Sequence, residues 1–175
     1  IPNIIDTTEV MEKSNIECSY EVDSSVYNIC SVGRLIHQKG FDILLSSYKD
    51  VLKMRNDIHL YIIGDGPLKK ELQKYINING LQDYVTLVGF LKNPYSLMNK
   101  MDGFILTSRY EGQGMVLFEA KCLGLDVILP KHLEKYVPGL SGSDNLIEDL
   151  LKLEKHNKKI DLLEMRLRQW ISFLN

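Results

Sequence analysis

Apolar residues in this chain fall in short runs separated by helical repeats, and that alternation sets the expected fold before any motif is considered. The runs at 27–32, 59–63, 85–88, 103–107 and 126–129 are four to six residues long and mostly apolar, as buried parallel strands are. Between the first two, residues 41–53 put Ile43, Leu44, Leu45, Tyr48, Val51 and Leu52 on one helical face. Pro67 suits the first turn of a helix running to about residue 78, Pro94 does the same for a short helix to Lys100, and 115–123 has helical spacing of its apolar side chains. Residues 1–26 read as a mixed polar lead-in with a short helix at 8–13. After Pro130 the period is lost: 131–143, with Pro138 and two glycines, reads as a loop. Residues 144–153, capped by Ser143 or Asp144, and 160–173 then read as closing helices. Strand, helix and strand in repetition predict an α/β, Rossmann-like doubly wound parallel sheet, whose ligands sit at the carboxyl ends of the strands.

Size and composition narrow the picture. With 175 residues, 45% hydrophobic and 25% charged, the chain fits one domain, 1–175, and is too short for two of ordinary size. A net charge of -2 gives no basic field for general nucleic-acid binding, so phosphate chemistry has to be local. Three cysteines, far apart and odd in number, fit neither a disulfide framework nor a zinc site, which points to a reducing, cytoplasmic setting. Cys30, in an apolar strand, and Cys122, on a helix, read as packing groups. The apolar runs are far shorter than the ~20 residues needed to cross a bilayer. His37, His59, His132 and His156 have no metal spacing and there is no paired-aspartate motif, so neither a metal nor a cofactor is expected.

The chemistry concentrates in Ser108-Arg-Tyr-Glu111-Gly-Gln-Gly114-Met-Val-Leu-Phe-Glu119, where two carboxylates flank a glycine turn that opens a helix. Glu111 lies where a strand ends and Glu119 about a turn inside the helix. Gly112 and Gly114 let backbone come close to a ligand, and the N–H groups from Gly114 to Leu117 offer a diphosphate site. Arg34 and Lys39, five residues apart across the first strand-to-helix turn, can converge on the same diphosphate, one as a fork of donors and the other as a mobile point charge. Plainer readings stand beside each: two solvated loop cations, a surface acid at 111, and at 119 an acid favoured by the helix dipole. A glycosidase also pairs two acids, but it leaves the phosphate-directed loops unexplained. Gly64-Asp-Gly66-Pro67 is placed to line the pocket, although tight turning alone accounts for it, and it lacks the third glycine of a dinucleotide fingerprint, which argues against a dehydrogenase.

Glu111, seven intervening residues and Glu119, with Gly112-Gln113-Gly114 between, resemble the signature of the family 4 retaining glycosyltransferases, which have the GT-B fold. Gly33-Arg34-Leu-Ile-His-Gln-Lys39-Gly40, Ile63-Gly64-Asp-Gly66-Pro67, Val85-Thr-Leu-Val-Gly89-Phe90 and Met101-Asp-Gly-Phe-Ile-Leu are similar to successive family segments, and Ile1-Pro2-Asn3-Ile-Ile-Asp6 to the entry into the second domain. The resemblance implies a donor-binding C-terminal domain that is one half of the GT-B fold, with residues 1–26 leading in from a missing N-terminal domain and 144–175 closing it. Arg34 and Lys39 would stabilise the departing nucleoside diphosphate, with Gly33 beside them. Glu111 would contact the donor sugar and Glu119 the ribose, while Gly112, Gln113, Gly114, Met115 and Val116 hold the diphosphate and Phe90 and Leu91 meet the base. Phe90 reads equally well as core. The implied partners are a nucleoside diphosphate sugar and an acceptor glycan, lipid or protein, with peripheral attachment at the inner face of the plasma membrane left to the absent domain. Bacterial surface polysaccharide or glycan synthesis is the implied setting, and this piece alone is expected to bind donor but scarcely transfer. Two rival readings stand beside this one: a catalytically decayed nucleotide-sugar-binding partner subunit of the same ancestry, and a sugar-nucleotide epimerase built on a similar two-domain plan. Three departures stand out: Gln113 where many members carry an aromatic, Asp126 where proline is frequent, and 131–144 without the usual glycine, glutamate and Asp-Gly-x-x-Gly run.

Overall fold

In the computed structural model, which describes residues 6–112, 114–137 and 139–155, five parallel strands form one sheet. These are β1 (Tyr27–Val32), β2 (Ile58–Ile63), β3 (Val85–Gly89), β4 (Gly103–Ile105) and β5 (Asp126–Ile128), in the spatial order β3-β2-β1-β4-β5. The helices are α1 (Thr7–Ser14), α2 (Phe41–Val51), α3 (Lys69–Ile78), α4 (Tyr95–Met98), α5 (Met115–Cys122) and α6 (Leu146–Leu151). Chain order runs outward from β1 to β3, then returns to β4 on the other side of β1. The crevice between β1 and β4 is therefore the topological switch point, where loops leave the sheet in opposite directions and make room for a ligand.

Alternation along each strand builds two cores. Ile29, Leu60, Ile62 and Ile105 face one way and pack with Leu44, Leu45, Tyr48 and Val51 of α2, Leu72 and Ile76 of α3 and Leu150 of α6. Cys30, Tyr61, Ile63 and Phe104 face the other way and pack with Val10 of α1, Leu97 and Met98 of α4 and Leu117 and Ala120 of α5. Both cores are fully buried at their centres, which gives the long loops at the strand ends a rigid base. The lead-in is tied down rather than loose: Tyr20 donates from its hydroxyl to Val88 O at 3.1 Å, and Asn93 Nδ2 to Lys13 O at 2.8 Å. Among the described residues no helix is long and apolar enough to cross a membrane.

The structure corrects several boundaries. Residues 131–136, expected as loop, form a 3-10 helix, because Pro130 starts it in extended backbone and Leu133 anchors it in the core. Helix α6 is capped by Asn145, whose side chain accepts from Ile147 N and Glu148 N, and not by Ser143 or Asp144. Helix α3 starts at Lys69, two residues after Pro67, and β4 ends at Ile105, ahead of Leu106 and Thr107. Asp126, where proline was expected, is paired: it accepts a 2.9 Å hydrogen bond from the hydroxyl of buried Tyr27. Residues 1–5 and the expected helix at 160–173, together with Gln113, Pro138 and His156, lie outside the described residues.

Candidate functional site

After β1 the chain runs through Gly33 and Arg34 into a 3-10 turn, His37–Lys39, and Gly40 swings it into α2 with φ of +66°. A Cβ on Gly40 would sit 2.1 Å from Thr107 O, so this loop lies directly on the exit of β4. Hydrogen bonds fasten the two together. Thr107 Oγ1 donates to Gly40 O at 3.0 Å, Arg109 N to Gln38 O at 2.8 Å, and Gln38 Nε2 to Tyr110 O at 3.1 Å. The Arg109 guanidinium grips Asp42 with both arms, at 2.9 and 2.6 Å, and also donates to His37 O at 2.7 Å. That contact holds the Asp42 carboxyl below the usual range.

At the centre of this junction Lys39 Nζ lies 2.6 Å from Glu111 Oε1, with side-chain exposures of 20% and 9%. The Ser108 hydroxyl donates to the same oxygen. The Lys39 stem passes over Gly33, where an added Cβ would meet it at 3.4 Å. Gly33 and Arg34 in turn line a cleft of about 490 Å³ with Val32, Asp65, Phe90 and Leu91. Phe90 is 76% exposed at its mouth, so it is not core. Gly64 does more than turn the chain: with φ of +144°, a Cβ on it would be 1.9 Å from Gly33 O, and the close approach fixes the floor of the cleft under the first loop.

On the other side of Glu111, α5 starts from Gly114, buried and left-handed at φ of +59°, with no side-chain cap. Leu117 N donates to Gly114 O at 2.9 Å, which removes it from the expected anion-binding amides and narrows the set to Gly114, Met115 and Val116. Gly112 is exposed with open space around it, and Gln113 is outside the described residues. Glu119 is half-buried one turn into α5. Burial pushes its carboxyl up; a hydrogen bond from Tyr95 opposes the shift and the charge of Glu9 adds to it. Tyr95, raised to about 12 by its own burial and by Glu119, follows Pro94 on the rim of the cleft.

The structure thus gathers Gly33, Arg34, Phe90 and Leu91 in one cleft and couples Lys39 to Glu111 beside it, while the start of α5 and Glu119 lie outside that cleft's lining. Sequence reading did not assign Thr107, Ser108, Arg109, Asp42 and Tyr95. Ser108 and Arg109 stood inside the quoted motif, but Arg109 and Asp42 are 67 residues apart and nothing local marks them as partners.

A family model described as glycosyl transferases, group 1, matches residues 13–133. An uncharacterised glycosyltransferase of Methanocaldococcus jannaschii is 36% identical over 133 residues, 73% of this chain and 32% of that protein. The Campylobacter jejuni N-acetylgalactosamine-N,N'-diacetylbacillosaminyl-diphospho-undecaprenol 4-alpha-N-acetylgalactosaminyltransferase is 36% identical over 104 residues, 59% of this chain and 28% of that protein. The crystal structure of HepE from Anabaena in complex with UDP has a TM-score of 0.61 and 25% identity, over 72% of this chain and 38% of that one. The chain spans about a third of the length of the curated relatives it matches.

Proposed function

Because the chain belongs to the group 1 glycosyltransferases, we propose that it is the donor-binding half of a two-domain retaining transferase of GT-B architecture. It binds a nucleoside diphosphate sugar and presents the anomeric carbon to an acceptor held by an N-terminal domain. The observation that carries this reading is the meeting of Lys39 and Glu111 at the β1–β4 crevice, beside the cleft that holds Arg34 and Phe90. Arg34 and Lys39 take the pyrophosphate oxygens together with the amides of Gly114, Met115 and Val116. Glu111, an acceptor-only carboxylate, takes hydroxyls of the donor sugar, Glu119 the ribose, and Phe90 and Leu91 the base.

In the transfer the acceptor hydroxyl oxygen bonds to the anomeric carbon on the face from which the nucleoside diphosphate departs. The bond from that carbon to the phosphate oxygen breaks with its electron pair, and the acceptor proton passes to the leaving phosphate. The protein supplies positioning and charge stabilisation. Arg34 and Lys39 provide the positive charge that a divalent ion supplies in other phosphate sites, so transfer is expected to persist in EDTA. The UDP held by HepE makes uridine the first base to test, and the name of the Campylobacter relative makes a glycan linked to a diphospho-lipid the first acceptor class.

The test is a thermal-shift panel of UDP, GDP, ADP and TDP, each with and without its sugar, followed by transfer assays on the full-length protein. One base should raise the melting temperature, since a ligand at 100 times its Kd adds about 2.7 kcal/mol to the native state. Lys39→Ala or Arg34→Ala should remove the shift and lower transfer by about 100-fold or more. Nucleotide binding without transfer from any donor would instead identify a binding module, and product formed without acceptor an epimerase.

A further inference from the structure

Resting on the donor-site reading above, the geometry points to a second role for Glu111: it makes the site prefer a sugar-loaded nucleotide over the spent nucleoside diphosphate. Lys39 is engaged by a carboxylate 2.6 Å away that is only 9% exposed. Oε1 of Glu111 is filled by two donors, Lys39 Nζ and the Ser108 hydroxyl, whereas among the described residues no hydrogen bond reaches Oε2. The carboxylate has little freedom to swing aside. Ser108 O is contacted by His132 Nε2 at 3.0 Å, and the Gln38 and Arg109 bonds pin the flanking backbone to the first loop.

A diphosphate arriving at Lys39 therefore meets a fixed like charge in a half-buried setting, where screening is weak. An intact donor offsets that repulsion, because a sugar hydroxyl can donate to the vacant Oε2. Once the sugar has moved to the acceptor the hydroxyl is gone, Oε2 is again unmatched, and the repulsion favours release. Glu111 thus acts as a donor-over-product selector as well as a sugar contact.

Calorimetric titration of the chain and of Glu111→Gln and Glu111→Asp with UDP and UDP-glucose tests this, with the GDP, ADP and TDP pairs run alongside to find the preferred base. Glu111→Gln should bind the preferred nucleoside diphosphate about tenfold more tightly than the parent and its sugar form no more tightly, so that the preference narrows or inverts. Glu111→Asp keeps the charge and should keep the weak product affinity. Equal or weaker binding of the diphosphate by Glu111→Gln overturns the inference, as does an equal gain in Glu111→Asp, which would trace the effect to a loosened loop. If Lys39→Ala abolishes nucleotide binding while Glu111→Gln loses both ligands in parallel, the donor site stands and the selector role falls. If no nucleotide of the four bases binds the parent, both fall.

Discussion

The two ends of the same sheet use the same residue types to opposite purposes. At the amino ends of the strands, charges are consumed internally. The Tyr27 hydroxyl donates to Asp126, Asp102 Oδ2 accepts from Asn28 N at 2.7 Å, and Arg55 donates to the carbonyls of Leu150 in the last turn of α6 and of Leu153 just beyond it. At the carboxyl ends Lys39 pairs with Glu111 and Arg109 with Asp42, but other groups are left for something else. Arg34 is exposed with no ion pair to the described residues, Phe90 and Tyr110 are 76% and 58% exposed, and α5 opens without a side-chain cap. Acids, cations and tyrosines alone do not mark a site; it is marked where the fold orients them and then leaves part of their bonding capacity unused.

If the carboxyl end is a ligand frame, its most severe failure should come from the floor. Gly64→Ala puts a side chain at φ of +144° and 1.9 Å from Gly33 O, and a backbone atom cannot give way as a flexible side chain would. The cost should be about 3 kcal/mol or more, a fall in melting temperature of roughly 6–12 °C, with nucleotide binding lost as the first loop shifts. Thermal denaturation that finds the variant unchanged would remove the close approach as a structural requirement. At the other end, Asp126→Ala strands the buried Tyr27 hydroxyl and should cost about 1–3 kcal/mol. Its nucleotide Kd, measured by calorimetry, should match the parent; a parallel loss of affinity would show that the ends are not separable.

Much of this division can be read in the chain, and where it cannot the cause is tertiary. Strand positions follow from apolar runs, whereas the Glu111–Glu119 pair and the Arg34–Lys39 loop stand out through their joint resemblance to family segments, spacing alone leaving the plainer readings open. The partnership of Lys39 with Glu111 does not, because 72 residues separate them and only the β1–β4 pairing brings the loops together. Phe90 could be core or cleft on sequence grounds; the end of β3 beside Gly64 decides it. Gly64 looked like a turn residue because the atom it must avoid, Gly33 O, belongs to a neighbouring strand's loop. The 3-10 helix at 131–136 carries no period to detect, since Leu133 is its one buried side chain.

The finest separation of the two ends falls on Glu119, which pulls stability and binding in opposite directions. Burial raises its folded-state pKa above the ordinary carboxyl value, so within that window the native state holds a proton the unfolded chain has released. Stability contributed by this group is therefore lost as pH rises from the ordinary value through the raised one, and stays lost above it. Glu9 on α1 adds to the shift, the Tyr95 hydroxyl on α4 opposes it, and neighbouring Cys122, itself raised by burial, is neutral there. A ribose donating to the ionised carboxylate works the other way: binding should tighten as pH rises through the same window. Glu119→Gln should then melt higher than the parent at neutral pH, bind nucleotide about tenfold more weakly, and lose the tightening of binding that the parent shows through the Glu119 window, leaving the pH dependence of the phosphate itself. A variant that melts higher with undiminished affinity would place Glu119 with the structural charges of the amino end and take the ribose contact away from it.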